Sequence, residues 1–382
     1  MEHAVKDRSE VEKAATEYLD RDKELIRRAL DLASQGVALV SPNPLVGCVI
    51  ASPDSDIVGE GTYTFDGVAH AEAIALGQAG ERARGGTAYV SIEPHDHANR
   101  TPPCTDALIN AGIKRVVCPI EDPNPLVSGR GFERLQRAGI EVVTGILANE
   151  AVRINEKFIC WHTKKRPFIH LKLAMSLDGR ISMYEDRPTA ISREAGLARN
   201  QELRHEHDAI LIGGNTAAID NPHLTDRSGR RRRRPLVRVI LDNRLQTSVS
   251  SNLAASAEDT PTLIFTNSKD PAKKSALRDR GVDVIELGMG GRDLSEVLAE
   301  LKKLEIQSVL IEGGSDVAGA FIDARLVDKV TFMYAPLVVG GRKGPPAVGG
   351  RGAESVAEAF QLGDYTVQRK GEEIEITGYP KT

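Results

Sequence analysis

Two successive series of short apolar segments, separated by helical or polar stretches, constrain the fold of this 382-residue chain more than any other feature. In the first series the apolar runs predict strands over residues 45–50, 87–92 and 115–119, with another beginning near residue 57, and helices over residues 23–33, 69–78 and 104–111. In the second series the runs FIHLKLAMS, DAILIGG, PLVRVILD, TLIFTN, VDVIEL, SVLIEGG and KVTFMYA continue the alternation. Strands that alternate with helices form a mostly parallel sheet covered on its faces. The sequence therefore predicts an α/β fold in both parts.

A basic connector that ends in proline, KFICWHTKKRP, separates the two series. A chain of this length exceeds what one hydrophobic core usually serves, so two domains are expected. We predict one domain over residues 23–165 and a second over residues 166–382. Residues 1–22 are charged throughout and contain no apolar run, so they are predicted to form a polar helical extension and not a secretory signal.

Composition excludes several classes of function. Apolar residues make up 41% and charged residues 27%, as in ordinary globular enzymes. A net charge of −4 and an aromatic content of 4% argue against nucleic acid and anionic membranes as partners. The four cysteines are too few for a disulfide framework, and no apolar stretch reaches the roughly 18 residues of a membrane span. The sequence therefore predicts a cytoplasmic enzyme.

Four residues have the order of a catalytic zinc site. His70 opens a predicted helix in the motif HAE, His95 follows a predicted strand, and Cys104 begins another helix, where the helix dipole favours a thiolate. Three protein ligands and an open position for water are what catalytic zinc requires. Glu72 can then act as a proton shuttle without being a ligand. Zinc deaminases usually place a cysteine where this chain has His95, and Asp96 and His97 beside it are alternative third ligands.

Longer segments resemble one enzyme family. SPNPLVGCVI, HAEAIAL, SIEPHDHANRTPPCTDALINAGIKRVV and EDPNPLVSGRGFERLQRAGIEV resemble the bifunctional riboflavin-biosynthesis deaminase–reductases, and the match runs from about residue 23 to the C-terminus. The resemblance implies a cytidine-deaminase-like, three-layer front domain that hydrolyses the amino group of diaminohydroxyphosphoribosylaminopyrimidine. It implies that Glu72 is catalytic and that His70, His95 and Cys104 are zinc ligands, with His95 in the place of the first zinc cysteine. Asn43, His97 and Arg100 fall on substrate contacts of the family.

The second half carries a glycine turn typical of a cofactor site. SVLIEGGSDVAGAFI predicts a strand, two glycines and a helix start, which suits a cofactor phosphate. No GxGxxG follows a strand, so an ordinary Rossmann site is not supported. KLAMSLDGR and DAILIGGNTAAIDNPHLTDR resemble the family's reductase, which has a dihydrofolate-reductase-like fold and uses NADPH. The resemblance implies cofactor contacts at Ala174, Thr216, Asp220, Asn243, Gly314, Ser315, Asp316, Val317, Ala318, Gly319 and Ala320, and substrate contacts at Arg204, Leu224, Arg227 and Glu312.

The implied second reaction reduces the ribosyl group of 5-amino-6-(5-phosphoribosylamino)uracil to ribityl. The two arginines suit the substrate phosphate, and Glu312 suits sugar hydroxyls. Lys172 and Asp178 border the same cleft, where a structural ion pair is an equally good interpretation. The chain departs from the family at Ala190, since many relatives read W-I-T-S where it has AISR, and the tryptophan would pack on the cofactor.

Three further alternatives stay open. A reductase whose front domain is degenerate follows if His95 cannot replace the cysteine. A deaminase that edits tRNA or single strands is disfavoured by the acidic balance and the reductase half. The five arginines at positions 230–234 are predicted to form a solvated loop, the alternative being a rim that attracts phosphate. The resemblance also implies a homo-oligomer.

Overall fold

The computed structural model of the chain describes residues 8–67, 69–97 and 102–381. The boundary between two compact units falls between Lys165 and Arg166. Each unit is built on a sheet of its own. None of the helices in the described residues is long and apolar enough to cross a membrane.

The front unit, within its described residues, contains a five-stranded sheet in the order β2-β1-β3-β4-β5. Its strands are β1 (Gly47–Ala51), β2 (Ile57–Thr62), β3 (Thr87–Val90), β4 (Arg115–Cys118) and β5 (Glu141–Thr144). Its helices are α1 (Arg8–Ser34), α2 (Ala71–Ala79), α3 (Cys104–Asn110), α4 (Arg130–Arg137), α5 (Ala148–Ile154) and α6 (Glu156–Thr163). β1 pairs antiparallel with β2 and β3, whereas β3, β4 and β5 are parallel.

Side chains on β1 show how helices cover both faces of this sheet. Cys48 and Ile50 are fully buried in a core that α2, α3 and α4 complete. Val49 and Ala51 point to the opposite face, into a second core formed with α1 and α5. Successive strand residues face opposite sides, so the uniformly apolar sequence of this strand matches burial on both. The result is the three-layer α/β arrangement that the sequence predicts.

Helix α1 is continuous from Arg8, so the polar extension predicted for residues 1–22 runs into the folded unit without a break. Asp22 is buried, and both of its carboxylate oxygens accept hydrogen bonds from Arg115, at 2.8 and 2.7 Å. The Tyr89 hydroxyl donates to the same carboxylate at 3.0 Å. The end of the extension therefore belongs to the fold, and residues 1–7 lie outside the described residues.

The rear unit has, within residues 166–381, a nine-stranded sheet in the order β10-β9-β8-β7-β11-β6-β12-β14-β13. Its strands are β6 (Phe168–Ser176), β7 (Ala209–Gly213), β8 (Val237–Leu241), β9 (Thr262–Thr266), β10 (Asp283–Glu286), β11 (Ser308–Ile311), β12 (Lys329–Ala335), β13 (Leu362–Lys370) and β14 (Glu373–Pro380). Its helices are α7 (Glu194–Glu206), α8 (Gly214–Asp220), α9 (Asn252–Ala255), α10 (Pro271–Arg278), α11 (Leu294–Lys303) and α12 (Ser315–Asp323). Pairing is parallel from β10 to β12 and antiparallel through β14 and β13.

The strand order of the rear sheet reverses between β7 and β11. β11 lies between β7 and β6, and the helices that follow β7 and β11 pack on different faces, since Ala217 of α8 belongs to one core and Ala318 of α12 to the other. Ala209 and Leu211 of β7 belong to a core that includes α11 and α12, and Ile210 and Ile212 belong to another that includes α9 and α10. In such sheets ligands bind outside the carboxyl ends of the parallel strands, where the strand order reverses.

The α/β fold class predicted from the sequence is confirmed, and each predicted strand corresponds to an observed one. Three strands were missed: β5, β13 and β14. Residues of β5 are half-buried or exposed, and nearly all of β13 is exposed, so neither has the apolar run that marked the others. These strands depend on backbone pairing with a neighbour that only the folded chain supplies.

Candidate functional sites

The predicted zinc ligands converge in the front unit. His70 precedes the first residue of α2, His95 lies in the loop after β3, and Cys104 is the first residue of α3. Their ligand atoms all lie within 4.8 Å of one another, and Cys104 Sγ is 3.3 Å from His70 Nδ1. The ring centroids of His70 and His95 are 4.5 Å apart. Within the described residues, the His, Cys, Asp and Glu side chains that could together hold a metal ion are those of His70, His95 and Cys104.

The side chains of this group fit a cation. His95 Nε2 and Glu72 Oε2 are buried and have no hydrogen-bond partner in the described structure. Burial, followed by the charges of His70 and His97, lowers the pKa of His95 to about 4, so its ring is neutral at physiological pH, the form that binds metals. Burial raises the pKa of the Cys104 thiol, and the Glu72 carboxylate raises it further. A divalent ion would satisfy the orphaned nitrogen and stabilise the thiolate.

The two alternative third ligands have other positions. Asp96 Oδ1 accepts a hydrogen bond from Thr105 at 2.9 Å and lies 3.1 Å from Arg134 Nε, so the carboxylate is already paired. His97 is exposed, and its ring stands edge-on to that of His95 at 5.1 Å. Neither belongs to the convergent group. Arg100, predicted to contact substrate, lies outside the described residues.

Asn43 lies next to this group through Tyr63. Its Nδ2 donates to the Tyr63 hydroxyl at 2.8 Å, and the Tyr63 ring is 5.3 Å from that of His70. The loop that carries Asn43 is held by Asn155, whose side chain bonds both the N–H and the carbonyl of Leu45, at 2.8 and 3.0 Å. Tyr63 and Asn155 were not identified from the sequence, since neither belongs to a motif.

Glu93 organises the loop on the other side of His95. Its carboxylate accepts hydrogen bonds from the backbone N–H groups of Asp122, Gly129 and Gly131, at 3.0, 3.0 and 2.9 Å. A Cβ at Gly131 would stand 2.0 Å from the carbonyl oxygen of Pro94, so the loop packs directly against the segment that holds His95. A signal in the sequence could have identified this role: Glu93 is an acidic residue directly after an apolar strand.

In the rear unit, some of the predicted cofactor contacts meet beyond the carboxyl ends of β7 and β11. Gly314 has φ +85°, which favours glycine, and a Cβ there would stand 3.3 Å from Thr216 Oγ1. Val317 on α12 packs against Gly213 at the end of β7. Of the remaining predicted contacts, the following lie on or after the same strand ends or on α12: Ala174 on β6, Asp220 at the end of α8, and Ser315, Asp316, Ala318, Gly319 and Ala320 on α12. Backbone N–H groups at the start of α12 suit an anion.

The Asn243 side chain forms a hydrogen bond within the protein. It follows β8 at the same edge of the sheet, but its Oδ1 accepts a hydrogen bond from the N–H of Gly291 at 2.8 Å. The Gly290 backbone approaches so closely that a Cβ there would stand 2.1 Å from this oxygen. In this structure the side-chain oxygen therefore holds a glycine turn.

The predicted substrate residues Arg204 and Glu312 bind each other. Arg204 Nε and Nη2 donate to the two carboxylate oxygens of Glu312 at 2.7 and 2.8 Å, and both side chains are largely buried. The sequence analysis assigned Arg204 to a phosphate and Glu312 to sugar hydroxyls. The bidentate pair instead occupies the guanidinium edge that a phosphate would use.

Lys172 and Asp178 are not arranged as the ion pair considered from the sequence. Asp178 accepts hydrogen bonds from Ser176 Oγ and from the N–H groups of Val339 and Gly340, at 2.6, 2.9 and 2.8 Å. These bonds lower its pKa to about 2. Lys172 is buried on β6, and desolvation lowers its pKa, against the opposing effect of Glu312. Asp178 therefore organises a loop, while Lys172 lies buried beside the pair of Arg204 and Glu312.

Comparisons with known proteins match both units. The model of the cytidine and deoxycytidylate deaminase zinc-binding region matches residues 19–120, and that of the RibD C-terminal domain matches residues 167–375. Riboflavin biosynthesis protein RibD of Aquifex aeolicus is 39% identical over 355 residues, which cover 93% of this chain and 97% of that protein. The chain belongs to the RibD family.

Further relatives agree with this assignment. Riboflavin biosynthesis protein RibD of Escherichia coli is 37% identical over 84% of this chain and 89% of its own length. The solved structure of Acinetobacter baumannii RibD superposes with a TM-score of 0.84 at 33% identity, covering 95% of this chain and all of that one. A Thermotoga maritima structure, named a diaminohydroxyphosphoribosylaminopyrimidine deaminase/5-amino-6-(5-phosphoribosylamino)uracil reductase, gives 0.83 at the same identity and coverage of this chain.

Family membership decides between the hypotheses drawn from the sequence. The chain is a bifunctional enzyme of riboflavin biosynthesis, with a zinc-binding deaminase unit and a reductase unit that uses a nicotinamide cofactor. It acts on small molecules, and the bifunctional prediction is favoured over the reductase alone.

Two departures from the family pattern were identified from the sequence, His95 in the ligand group and Ala190 before α7. Ala190 lies in the segment leading into α7, where Arg193 donates its N–H to Glu373 at 3.0 Å. Glu373 is fully buried, and its second oxygen has no hydrogen-bond partner in the described residues. The segment is therefore anchored by its backbone, independently of the side chain at position 190.

Proposed function

We propose that the front unit deaminates diaminohydroxyphosphoribosylaminopyrimidine and that the rear unit reduces 5-amino-6-(5-phosphoribosylamino)uracil with NADPH. One observation carries the first half: His70, His95 and Cys104 converge beside Glu72, whose buried Oε2 lacks a partner in the described structure. The proposed location is the cytoplasm, a reducing compartment that suits the four buried free cysteines.

Zinc is the proposed occupant of the front site, held by His70, His95 and Cys104. Imidazole and thiolate are both ordinary zinc ligands, so His95 is chemically adequate in place of cysteine. Because imidazole is neutral, two histidines and one thiolate leave the site more positive than one histidine and two thiolates would. When bound, zinc lowers the pKa of water so that it becomes a nucleophile at neutral pH.

Glu72 handles the protons of the deamination. It lies on the first turn of α2, two residues after His70, with one carboxylate oxygen buried and without a hydrogen-bond partner in the described residues. A carboxylate in this position accepts a proton from water and delivers it to the departing amino group. The carbon exchanges its C–N bond for a C–O bond, and ammonia leaves. Asn43 and His97, beside this group, are the proposed substrate contacts, together with Arg100.

Metal analysis separates the possible ligand sets. We expect purified wild-type chain to contain about one zinc per chain, His95→Ala to lose it, and His95→Cys to retain it. His97→Ala is the matched control, because His97 lies next to the group without belonging to it, and should keep its zinc. Glu72→Gln should keep zinc and lose deamination. A His95→Ala variant with full zinc content would refute the ligand assignment.

The reductase proposal rests on the residues gathered at the carboxyl ends of β7, β11 and β6. NADPH supplies the hydride, and the proposed residues for its phosphates are the turn at Gly314 with Thr216 and the start of α12. Arg204 fixes the Glu312 carboxylate at 2.7 and 2.8 Å, so that its free lone pairs face sugar hydroxyls. Arg227, exposed on the loop after Leu224, is the proposed partner of the phosphate, and Lys172 lies buried on β6.

Steady-state kinetics test the two subsites separately. Glu312→Gln should raise the KM for the uracil substrate and leave that for NADPH unchanged. Thr216→Val should do the reverse, since it removes a hydroxyl beside the glycine turn and keeps the volume. A chain that reduces its substrate equally well with NADH and NADPH would contradict the proposed cofactor.

A second copy of the chain is the proposed partner of the outer strands. β13 lies at the sheet edge, and Tyr365 and Val367, two residues apart on one face, are 58% and 60% exposed. Ile374 on β14 is 41% exposed on the same side. An apolar edge of this kind favours pairing with another chain. We expect light scattering to give an oligomer, and Val367→Lys but not Val356→Lys to dissociate it. A monomeric wild-type chain would refute this.

A further inference from the structure

In the run of arginines at positions 230–234, Arg230 and Arg231 are exposed, whereas Arg232 is shielded from solvent. Its side chain is 13% exposed. Its Nη1 donates to the carbonyls of Arg204 and His205, at 2.9 and 3.0 Å, and its Nη2 donates to the carbonyl of His207 at 2.7 Å. Carbonyls in the last turn of a helix lack intrahelical partners, and a cation there also opposes the helix dipole. Arg232 therefore caps the C-terminus of α7.

The same guanidinium reaches the loop over residues 224–228. Arg232 Nη1 donates to Asp226 Oδ2 at 3.0 Å, and that oxygen lies 3.0 Å from His205 Nδ1. The other Asp226 oxygen accepts the N–H of Ser228 at 2.9 Å. The Asp226 side chain is 6% exposed, so these bonds are shielded from solvent. Arg232 thus joins the end of α7 to this loop.

Further hydrogen bonds connect the loop to α7. Arg204 Nη1 donates to the carbonyl of Thr225 at 3.0 Å, and the N–H of Arg227 donates to Gln201 Oε1 at 2.7 Å. The remaining nitrogens of Arg204 bind Glu312. The position of the Arg204 side chain therefore depends on where the helix end and the loop lie relative to each other.

We propose that Arg232 is a positioning residue of the reductase, which holds Arg204 and the loop over residues 224–228 in the arrangement that receives the phosphoribosyl substrate. The inference rests on the proposed function, because that proposal assigns Glu312, which Arg204 holds, and Arg227 to the substrate. It corrects the prediction of a solvated loop at this position. It also differs from the phosphate rim, since the nitrogens of Arg232 are engaged with carbonyls and Asp226.

Kinetics of Arg232→Met test the proposal. We expect the KM for the uracil substrate to rise, or kcat to fall, by about tenfold to a hundredfold, because misplacing a binding group by an ångström can cost this much. The KM for NADPH and the deaminase activity of the same chain should match the wild type. Arg232→Lys should recover part of the loss, since lysine keeps the charge beside Asp226 but has fewer donors.

Arg230→Met is the matched control. Arg230 is exposed, and its contact with the loop is made by its backbone N–H, which donates to Ser228 Oγ at 3.3 Å. The substitution leaves this donor in place, so both kinetic constants should equal those of the wild type. If Arg230→Met and Arg232→Met have the same effect, the run acts through its general charge and the proposal fails.

Asp226→Asn and Glu312→Gln complete the design. If Arg232 acts through Asp226, the effects of Arg232→Met and Asp226→Asn on KM are less than additive in the double variant. Additive effects contradict the proposal.

Glu312→Gln separates the positioning proposal from the proposed function: if it leaves the KM for the uracil substrate unchanged, the proposed function is wrong. If it raises this KM while Arg232→Lys and Arg232→Met do not, the positioning role alone is wrong. Should Arg232→Met fail to fold, Arg232→Lys provides the same comparison.

Discussion

Gly61 on β2 lies directly against Ala71 on the first turn of α2: a Cβ at position 61 would stand 2.0 Å from the Ala71 carbonyl oxygen. This approach sets how closely the helix packs on the sheet. Because His70 and Glu72 flank Ala71, the same contact determines where the proposed metal ligand and the proposed proton shuttle lie.

Gly61→Ala should weaken zinc binding. The methyl group must push the start of α2 outward, which displaces His70 relative to His95 and Cys104. We expect the zinc affinity to fall about tenfold to a hundredfold, the range seen when supporting contacts of a metal site are lost. Competition with a chromogenic chelator measures this. Gly77→Ala is the control on the same helix, because its Cβ would meet nothing within 4 Å, and its affinity should not change.

Gly319→Ala should impair the proposed cofactor site. A Cβ on this α12 residue would stand 2.3 Å from the carbonyl carbon of Gly349, which belongs to the backbone and cannot rotate away. Overpacking of this kind costs about 1–3 kcal/mol of stability. The KM for NADPH should also rise, since the start of α12 carries Gly314 and Ser315. Gly288→Ala, with nothing within 4 Å of its Cβ, should leave both quantities unchanged.

Asp22→Asn should destabilise the chain strongly. Arg115 would be left partly buried without its carboxylate, and removing one partner of a buried ion pair costs about 3–5 kcal/mol. Asp20→Asn, in an exposed pair with Lys23, should cost no more than about 1 kcal/mol. Denaturant unfolding of the two variants measures the difference, and equal costs would show that the Asp22–Arg115 pair does not support the fold.

Asp122 should make stability depend on pH. Burial raises its pKa to about 6. Because the folded pKa lies above the unfolded one, the folded state binds the proton more tightly, and this contribution is complete below about pH 4 and lost as the pH rises through 6. Asp122→Asn removes the dependence, since the amide stays neutral and its oxygen can still accept the Asn124 N–H, a bond of 2.7 Å in the wild type.

The quantity to measure is the difference in the free energy of unfolding between Asp122→Asn and the wild type. From pH 4 to pH 7 the free energy of unfolding of Asp122→Asn should rise relative to the wild type by at most about 3 kcal/mol. Glu121→Gln, at the exposed neighbouring position, should show no such change. A constant difference between Asp122→Asn and the wild type over this range would mean that the carboxyl titrates normally.

Features carried by neighbouring residues were predictable. β1 is apolar at every position because both of its faces are buried, and this run predicted the strand. The motif HAE places His70 and Glu72 at one helix start whatever the rest of the chain does. Two glycines after β11 similarly predicted the turn at Gly314. Local spacing decides such features.

Features that join distant parts of the chain were not predictable. From the sequence alone, Glu312 is a reasonable group to bind sugar hydroxyls. In the structure Arg204, 108 positions away, binds both of its carboxylate oxygens. Arg232 is indistinguishable from four other arginines until the end of α7 lies beside it. Asp22 looks like part of a solvated extension until Arg115 covers it.

The sequence by itself determined the α/β fold class, the family and the residues able to hold zinc, because periodicity and short motifs express them. Only the tertiary structure decided that His95 rather than Asp96 or His97 lies with His70 and Cys104, and which arginine of the run at positions 230–234 is largely shielded from solvent. The physical reason is that hydrogen bonding and burial depend on neighbours in space, which the neighbouring residues in the sequence do not identify.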